Sequence, residues 1–191
     1  ALIGGLIEKG QAANTIRVIE LESAKCQALH AQFGVQTAQQ LDADSVVSDV
    51  IVLAVKPQSL RQVALQLAPL LQQQLVISIA AGIRLADLSR WLNDYPTLIR
   101  VMPNTPALVQ QGISGLFAQA GVSSLHQQQA STILSAVGRI LWLAQEEEID
   151  AITAASGSGP AYVFYFIEAM QAGAEQQGFS PETARMLALE T

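Results

Sequence analysis

The feature that most constrains this sequence is an unbroken apolar run, Val50-Ile51-Val52-Leu53-Ala54-Val55, directly after Asp49. A strand buried on one face alternates apolar and polar residues, whereas a strand covered on both faces is apolar throughout. The run therefore predicts a central strand of a parallel sheet at 49–55. A second buried strand is predicted at 75–80.

Helical segments alternate with strands over the first three quarters of the chain. The predicted helices lie at 2–8, 24–33, 59–71, 85–92 and 124–137, and the remaining strands at 16–21, 97–102, 114–119 and 139–144. Strands that alternate with helices of this length are typical of βαβ units with right-handed crossovers. We expect an α/β fold with a doubly wound, mostly parallel sheet.

From residue 146 onward the pattern is helical only, with helices predicted at 146–156, at 161–177 and from 181. The segment Gly157-Ser158-Gly159-Pro160 is predicted as a break between the first two. We therefore divide the chain into a domain at 1–145 and the start of an all-α domain at 146–191. The block 162–167 is apolar all round, which requires burial on most sides. We expect a dimer with intertwined helices; alternatively, chain that follows Thr191 covers this helix.

Composition excludes several functional classes. Half of the residues are apolar and 14% are charged, which is typical of a globular protein. The net charge is −6 and no Lys/Arg cluster occurs, which argues against a nucleic-acid partner.

The single cysteine, Cys26, allows no internal disulfide and fits a reducing, cytoplasmic compartment. The longest apolar stretch, 161–174, contains Glu168 and is shorter than the ~20 residues that span a bilayer, and no secretory signal is expected.

The predicted sheet indicates where a ligand would bind. In open α/β sheets ligands bind outside the carboxyl ends of the strands, near the point where the strand order reverses. These ends are 20–22, 54–57, 78–82 and 102–106, and three of the four consist mainly of small residues, Pro or Gly. Small residues let the backbone approach a flat ligand closely.

A dinucleotide-binding fold also needs a glycine-rich loop between its first strand and first helix. Gly4-Gly5 lies inside the first predicted helix and does not match such a loop. We expect the loop to precede Ala1. Spacing alone therefore leaves three classes open: an enzyme, a nucleotide-binding regulator and a binding module.

Four motifs, in order, carry a more specific resemblance. They are Ala54-Val55-Lys56-Pro57-Gln58, Ser78-Ile79-Ala80-Ala81-Gly82, Arg100-Val101-Met102-Pro103-Asn104-Thr105-Pro106-Ala107, and Ser156-Gly157-Ser158-Gly159-Pro160-Ala161-Tyr162. Together they resemble pyrroline-5-carboxylate reductases, over the whole chain. The resemblance implies a Rossmann-like, doubly wound domain followed by a helical domain that forms a homodimer or a higher homo-oligomer.

The same resemblance implies an activity. It is the reduction of the C=N bond of 1-pyrroline-5-carboxylate to L-proline with NADPH or NADH, a step of proline biosynthesis, and no metal is implied. The alternatives are a related imine or keto-acid reductase and a non-catalytic nucleotide-binding relative. The family's substrate loop is expected after Thr191, so no catalytic residue is assigned within the chain.

The motifs also imply site residues. The implied cofactor-binding residues are Glu20, Ala54, Val55, Lys56, Pro57, Ala80, Ala81, Gly82 and Asn104, and the implied substrate-binding residues are Glu146 and Ser158. Lys56 is interpreted as a charge that borders the cleft rather than as a proton donor, because an imine can bind already protonated. The segment 80–82 could instead be a plain βα turn.

Other candidate residues also have competing interpretations. Asn104 either binds cofactor or caps the short helix after it. Ser158 either faces the substrate carboxylate from a helix N-terminus, or it caps that helix at a point of tight interhelical packing. Glu146 is most simply part of a solvated face, 146–148. Glu20 or Glu22 occupies the position of a ribose-binding acid, which accepts hydrogen bonds from a 2′-hydroxyl and repels a 2′-phosphate. We therefore expect NADH to serve at least as well as NADPH, unless both glutamates face water.

Overall fold

The computed structural model describes all residues from 1 to 191. The strands are β1 (Arg17–Ile19), β2 (Gln36–Ala38), β3 (Val50–Leu53), β4 (Leu75–Ser78), β5 (Leu98–Met102), β6 (Gly112–Ala118) and β7 (Gly138–Trp142). The helices are α1 (Leu2–Glu8), α2 (Ser23–Phe33), α3 (Pro57–Leu67), α4 (Leu85–Trp91), α5 (Ser124–Ser135), α6 (Glu148–Ile152), α7 (Gly159–Gln176) and α8 (Pro181–Glu190).

The main sheet has five strands in the order β3-β4-β5-β6-β7. Strands β3, β4 and β5 are parallel, β6 runs antiparallel to β5, and β7 is parallel to β6. Strands β1 and β2 form a separate parallel pair. The expected α/β fold with a mostly parallel sheet is thus confirmed, with β6 and β7 reversed relative to the first three strands.

Apolar side chains cover both faces of the main sheet, because helices pack on each side. On one face, residues of α3 and α4 such as Leu60 and Leu88 pack with Val76 and Leu98. On the other face, α5 packs against alternate residues of the same strands. The buried members of this second cluster are Leu75, Ile77, Ile99, Val101, Leu116, Val122, Ala130 and Leu134. Burial on both faces explains why β4 is apolar without alternation from Leu75 to Ile77.

Four details differ from the sequence prediction. Strand β2 was not predicted, because Gln36–Ala38 is short and contains no apolar run. The helix predicted at 59–71 begins earlier, at Pro57, and gives way to a 3-10 turn at Ala68–Leu70, where a proline occurs. The predicted helix at 146–156 comprises the short α6 and a π-helical turn, Thr153–Gly157. The predicted break at 157–160 is reduced to a bend at Ser158 before α7.

The tail consists mainly of α7 and α8, which pack against each other. Pro160 and Pro181 lie in the first turns of these helices, as expected. The aromatic block of α7 is exposed in the single chain: Tyr165 is 75% and Phe166 is 66% exposed. No helix in the structure has both the length and the apolar content that a membrane crossing requires.

Candidate functional site

The parallel pairing of β3, β4 and β5 brings three of the predicted ligand-binding segments to one edge of the sheet. Leu53 lies opposite Ser78, and Ser78 lies opposite Arg100. The segments that follow these strands, 54–57, 79–82 and 103–106, are therefore neighbours. We call this the carboxyl edge. Glu20 follows β1, which is not paired with the main sheet, so strand pairing does not connect it with the others.

The carboxyl edge leaves room for a flat ligand. Ala54 and Ala81 are exposed. Gly82 has φ +76°, a left-handed conformation that favours glycine, and no atom lies within 4 Å of the position of a Cβ there. Ala80, by contrast, is buried among the core residues of α3 and α4. Small side chains above an open edge fit the backbone approach that a nicotinamide ring and its ribose require.

Lys56 lies at the start of α3 on this edge. It is the residue before the first turn, its carbonyl accepts a hydrogen bond from Ser59 N at 2.9 Å, and Pro57 occupies the first helical position. The Lys56 side chain is exposed and has no hydrogen-bond or ion-pair partner. An unpaired ammonium there can attract a phosphate or carboxylate group. The role of Lys56 as a charge that borders a ligand cleft stays a prediction.

Asn104 connects the carboxyl edge with the tail. Its Oδ1 accepts a hydrogen bond from Ile113 N at 2.9 Å, and its Nδ2 donates to Ser156 Oγ at 3.2 Å. The side chain does not cap the 3-10 helix Thr105–Val109, so the capping interpretation is wrong. The amide instead holds the start of β6 and the π-helical turn against the end of β5. Cofactor contact by Asn104 stays a prediction.

Asn104→Ala is expected to lower the free energy of unfolding by about 1–3 kcal/mol, because Ile113 N would lose its acceptor in a half-buried position. The melting temperature should then fall by several degrees. Thermal unfolding of the complete protein tests this. Asn14→Ala, at an exposed asparagine, is the matched control. Equal melting temperatures for both variants would contradict the role given to Asn104.

The turn that begins α7 lies against the carboxyl edge. A Cβ on Gly157 would lie 2.9 Å from Met102 Cε at the end of β5, which shows how closely the two segments approach. Ser158 is half-buried next to this contact and makes no side-chain cap hydrogen bond to α7. The capping interpretation of Ser158 is therefore wrong. Its predicted contact with a substrate carboxylate stays a prediction.

Glu146 does not lie on a solvated face, and that interpretation is wrong. Its side chain is 18% exposed, and Oε1 accepts hydrogen bonds from Leu85 N at 2.7 Å and from Arg100 Nη1 at 3.0 Å. Arg100 also donates to Asp150 Oδ1 at 3.1 Å. Sequence reasoning missed this network because its members are 46 and 50 residues apart. A charged residue inside a buried strand was the one available signal. Substrate contact by Glu146 stays a prediction.

The turn after β1 contains both candidate ribose-binding acids. Glu20 Oε1 accepts a hydrogen bond from Glu22 N at 3.0 Å, and Glu22 Oε1 pairs with Lys25 Nζ at 2.6 Å. The hydrogen bond and the charge of Glu22 raise the pKa of Lys25. Buried Cys26 donates from Sγ to the Glu20 carbonyl at 3.1 Å, a structural contact. The one cation of this turn is therefore already paired.

Comparisons with known proteins agree with this arrangement. Residues 146–191 match a family model described as pyrroline-5-carboxylate reductase dimerisation. Residues 1–82 match a model described as NADP oxidoreductase, coenzyme F420-dependent. The chain is 46% identical to the pyrroline-5-carboxylate reductase of Pseudomonas aeruginosa, covering 100% of this chain and 70% of that protein. It is 45% identical to the enzyme of Pasteurella multocida, covering 98% and 70%.

Solved structures show the same fold. The pyrroline-5-carboxylate reductase of Coxiella burnetii superimposes with a TM-score of 0.91 at 38% identity, over 99% of this chain and 71% of that one. The Plasmodium falciparum enzyme, whose crystal structure has NADP bound, gives a TM-score of 0.85 at 27% identity, over 99% and 70%. The sheet edge and the tail turn agree with what these relatives indicate. The chain belongs to the pyrroline-5-carboxylate reductases, which reduce the C=N bond of 1-pyrroline-5-carboxylate with NAD(P)H in proline biosynthesis.

Proposed function

We propose that the carboxyl edge, formed by 54–57, 80–82 and the turn at Asn104, binds the nicotinamide half of the cofactor, and that the turn at 156–160 forms the opposite wall of the site. The observation that carries this proposal is the contact between the tail and the edge. Asn104 Nδ2 bonds Ser156 Oγ at 3.2 Å, and Met102 Cε lies next to Gly157. The imine and the cofactor would meet between these two walls.

When bound, the cofactor supplies the hydride, which is transferred to the imine carbon. The chain itself contributes binding, orientation and exclusion of water. Exposed Ala54, Ala81 and Gly82 let the backbone approach the ring, while the Lys56 ammonium favours the anionic groups of cofactor or substrate. An imine nitrogen that binds already protonated needs no acid from the protein. The main task of this site is therefore to place C4 of the nicotinamide next to the imine carbon.

Hydrogen exchange tests which residues bind the cofactor. Adding NADPH to the complete protein should slow backbone exchange in the segments 54–58, 79–83 and 103–106. The segment 118–123 serves as an internal control, because β6 is antiparallel to β5 and so ends at the opposite edge. Protection confined to 118–123, or none at the carboxyl edge under saturating cofactor, would contradict the assignment of these residues.

We propose that Glu20 or Glu22 binds the adenine ribose, so that NADH serves at least as well as NADPH. Lys25, the cation of this turn, is paired with Glu22 and is not free to attract a 2′-phosphate. We expect kcat/KM for NADH to equal or exceed that for NADPH in steady-state assays. A hundredfold preference for NADPH would contradict this proposal.

Glu22→Ala should move this preference toward NADPH by about tenfold, because it frees Lys25. The measurement is the ratio of kcat/KM values for the two cofactors. Glu182→Ala, at an exposed acid in the first turn of α8, should leave the ratio unchanged. A ratio that responds equally to both substitutions, or to neither, would argue against a role for this turn in cofactor choice.

We also propose that the active protein is a homodimer, or a higher homo-oligomer, that assembles through its C-terminal helices in the cytoplasm. The exposed aromatic face of α7 supports the assembly, as does the match of 146–191 to a dimerisation model. The single cysteine supports a reducing compartment. Light scattering of the complete protein tests the assembly, with a monomer as the contradicting result.

A further inference from the structure

A buried charged network joins the main sheet to the tail. Arg100 lies in β5, between β4 and β6, with its side chain 3% exposed. Its Nη1 donates to Glu146 Oε1 at 3.0 Å, and its Nη2 donates to Asp150 Oδ1 at 3.1 Å. Glu146 precedes α6 and Asp150 lies within it. One guanidinium therefore holds two points of the tail on one strand.

The same network reaches the segment that follows the proposed cofactor turn. Glu146 Oε1 accepts a hydrogen bond from Leu85 N at 2.7 Å as well as from Arg100. Leu85 is the first residue of α4, and Gly82 lies three positions before it. A single carboxylate oxygen thus connects three parts of the site: strand β5, the exit of the cofactor turn and the start of the tail.

Stability alone does not account for this network. Removing charges from water is costly, and apolar replacements of buried ion pairs are often neutral or stabilising. Arg100 Nε is also buried without a hydrogen-bond partner, which adds to the cost. What a guanidinium provides is fixed geometry, because its planar fork can hold two carboxylates in defined directions.

A second ion pair joins the same two segments but lies at the surface. Arg84 Nη1 is 3.6 Å from Glu147 Oε1, and the two side chains are 56% and 66% exposed. Exposed pairs of this kind contribute little, because water and salt screen them and both side chains stay mobile. The chain therefore contains its own matched control for the buried network.

We propose that Arg100 is a positioning residue for the reduction. Acting through Glu146 and Asp150, it fixes the wall formed by the tail relative to the cofactor turn at 80–82. The inference rests on the cofactor turn proposed above. Hydride transfer is sensitive to placement, and a displacement of about 1 Å can cost on the order of a hundredfold in rate. Arg100 contacts neither the cofactor nor the substrate and acts only on the distance between them.

The test compares Arg100→Met/Glu146→Gln with wild type and with Glu146→Gln alone in the complete protein. The single variant keeps Arg100 and its pair with Asp150, so a loss common to both variants belongs to Glu146 and not to Arg100. The double substitution leaves no unpaired charge at the two buried positions, and the remaining Asp150 side chain is 59% exposed. We expect kcat to fall by about tenfold or more while the Kd for NADPH changes less than about twofold. The isotope effect on kcat with C4-deuterated cofactor should rise, because hydride transfer becomes slower relative to other steps. Arg84→Met should match wild type in kcat, in the Kd for NADPH and in the isotope effect.

A readout that needs no turnover separates this inference from the proposed function. Without the Arg100 guanidinium to hold the side chain of residue 146 in place, the hydrogen bond from Leu85 N should weaken. Amide exchange in the peptide that contains Leu85 should then accelerate, while the melting temperature stays within a few degrees of wild type. The activity of the wild-type protein tests the proposed function. The ratio of the variant's kcat to the wild-type kcat tests the role of Arg100. The inference is overturned if kcat stays within about twofold of wild type, or if kcat falls with an unchanged isotope effect, as a smaller folded fraction would produce.

Discussion

Ala81→Trp is expected to raise the Kd of the complete protein for NADPH by about a hundredfold or more, which corresponds to ~2.7 kcal/mol of binding free energy. Ala81 is exposed at the carboxyl edge beside Gly82, whose Cβ position has open space around it. An indole there would occupy the space proposed for the nicotinamide half of the cofactor. Folding should be unaffected, because the new side chain enters no packed region.

Ala120→Trp is the matched control for this prediction. Ala120 is also exposed, but it follows β6 and therefore lies at the opposite edge of the sheet. Fluorescence titration with NADPH gives the Kd of each variant. Thermal unfolding of the same samples shows whether each variant is folded. If Ala81→Trp bound NADPH as wild type does, or if Ala120→Trp weakened binding equally, the cofactor would not lie at the carboxyl edge.

Phe166→Asp is expected to dissociate the proposed homodimer into monomers and to reduce its activity strongly. Phe166 is 66% exposed in the single chain, within a run in which Tyr165 is 75% and Phe164 is 61% exposed. Burial of one such aromatic side chain contributes roughly 1.5–3 kcal/mol. A carboxylate at the same place would add the penalty of burying an unpaired charge. In a dimer with two-fold symmetry the substitution is present in both copies, so both free-energy losses occur twice.

Light scattering after size-exclusion chromatography measures the mass of the variant and so shows whether it is a monomer. Leu125→Asp is the control, because Leu125 of α5 is similarly exposed, at 62%, but lies outside the tail. We expect the control to keep the wild-type mass. A Phe166→Asp variant that stays assembled would show that α7 is covered by something other than a second copy.

The parts of the fold that sequence predicted well are those with strong local signals. Strand β4 and the core of β3 are continuous apolar runs, and burial on both faces of a parallel sheet requires this pattern. Strand β2 has no such signal, since its three residues, Gln36–Ala38, pair only with β1. The carboxyl edge followed from topology: once the first three strands of the main sheet are parallel, their ends must be neighbours.

The parts that sequence did not predict depend on contacts between distant residues. Asn104 and Ser156 are 52 positions apart, and nothing in the local Pro-Asn-Thr-Pro pattern identifies Ser156 as the partner. The run of acids at 146–148 has the composition of a solvated face, yet Glu146 meets a buried arginine from β5. Ionic networks of this kind depend on packing between distant parts of the chain, which periodicity and propensity do not encode.

Following the hydride from cofactor to product tests the assignment as a reductase. The complete protein is incubated with 1-pyrroline-5-carboxylate and NADPH or NADH carrying deuterium at C4 of the nicotinamide, and the product is examined by mass spectrometry and NMR. We predict L-proline with one deuterium on the former imine carbon, from one face of the nicotinamide only. Cofactor that binds while no labelled proline forms would contradict the assignment as a reductase.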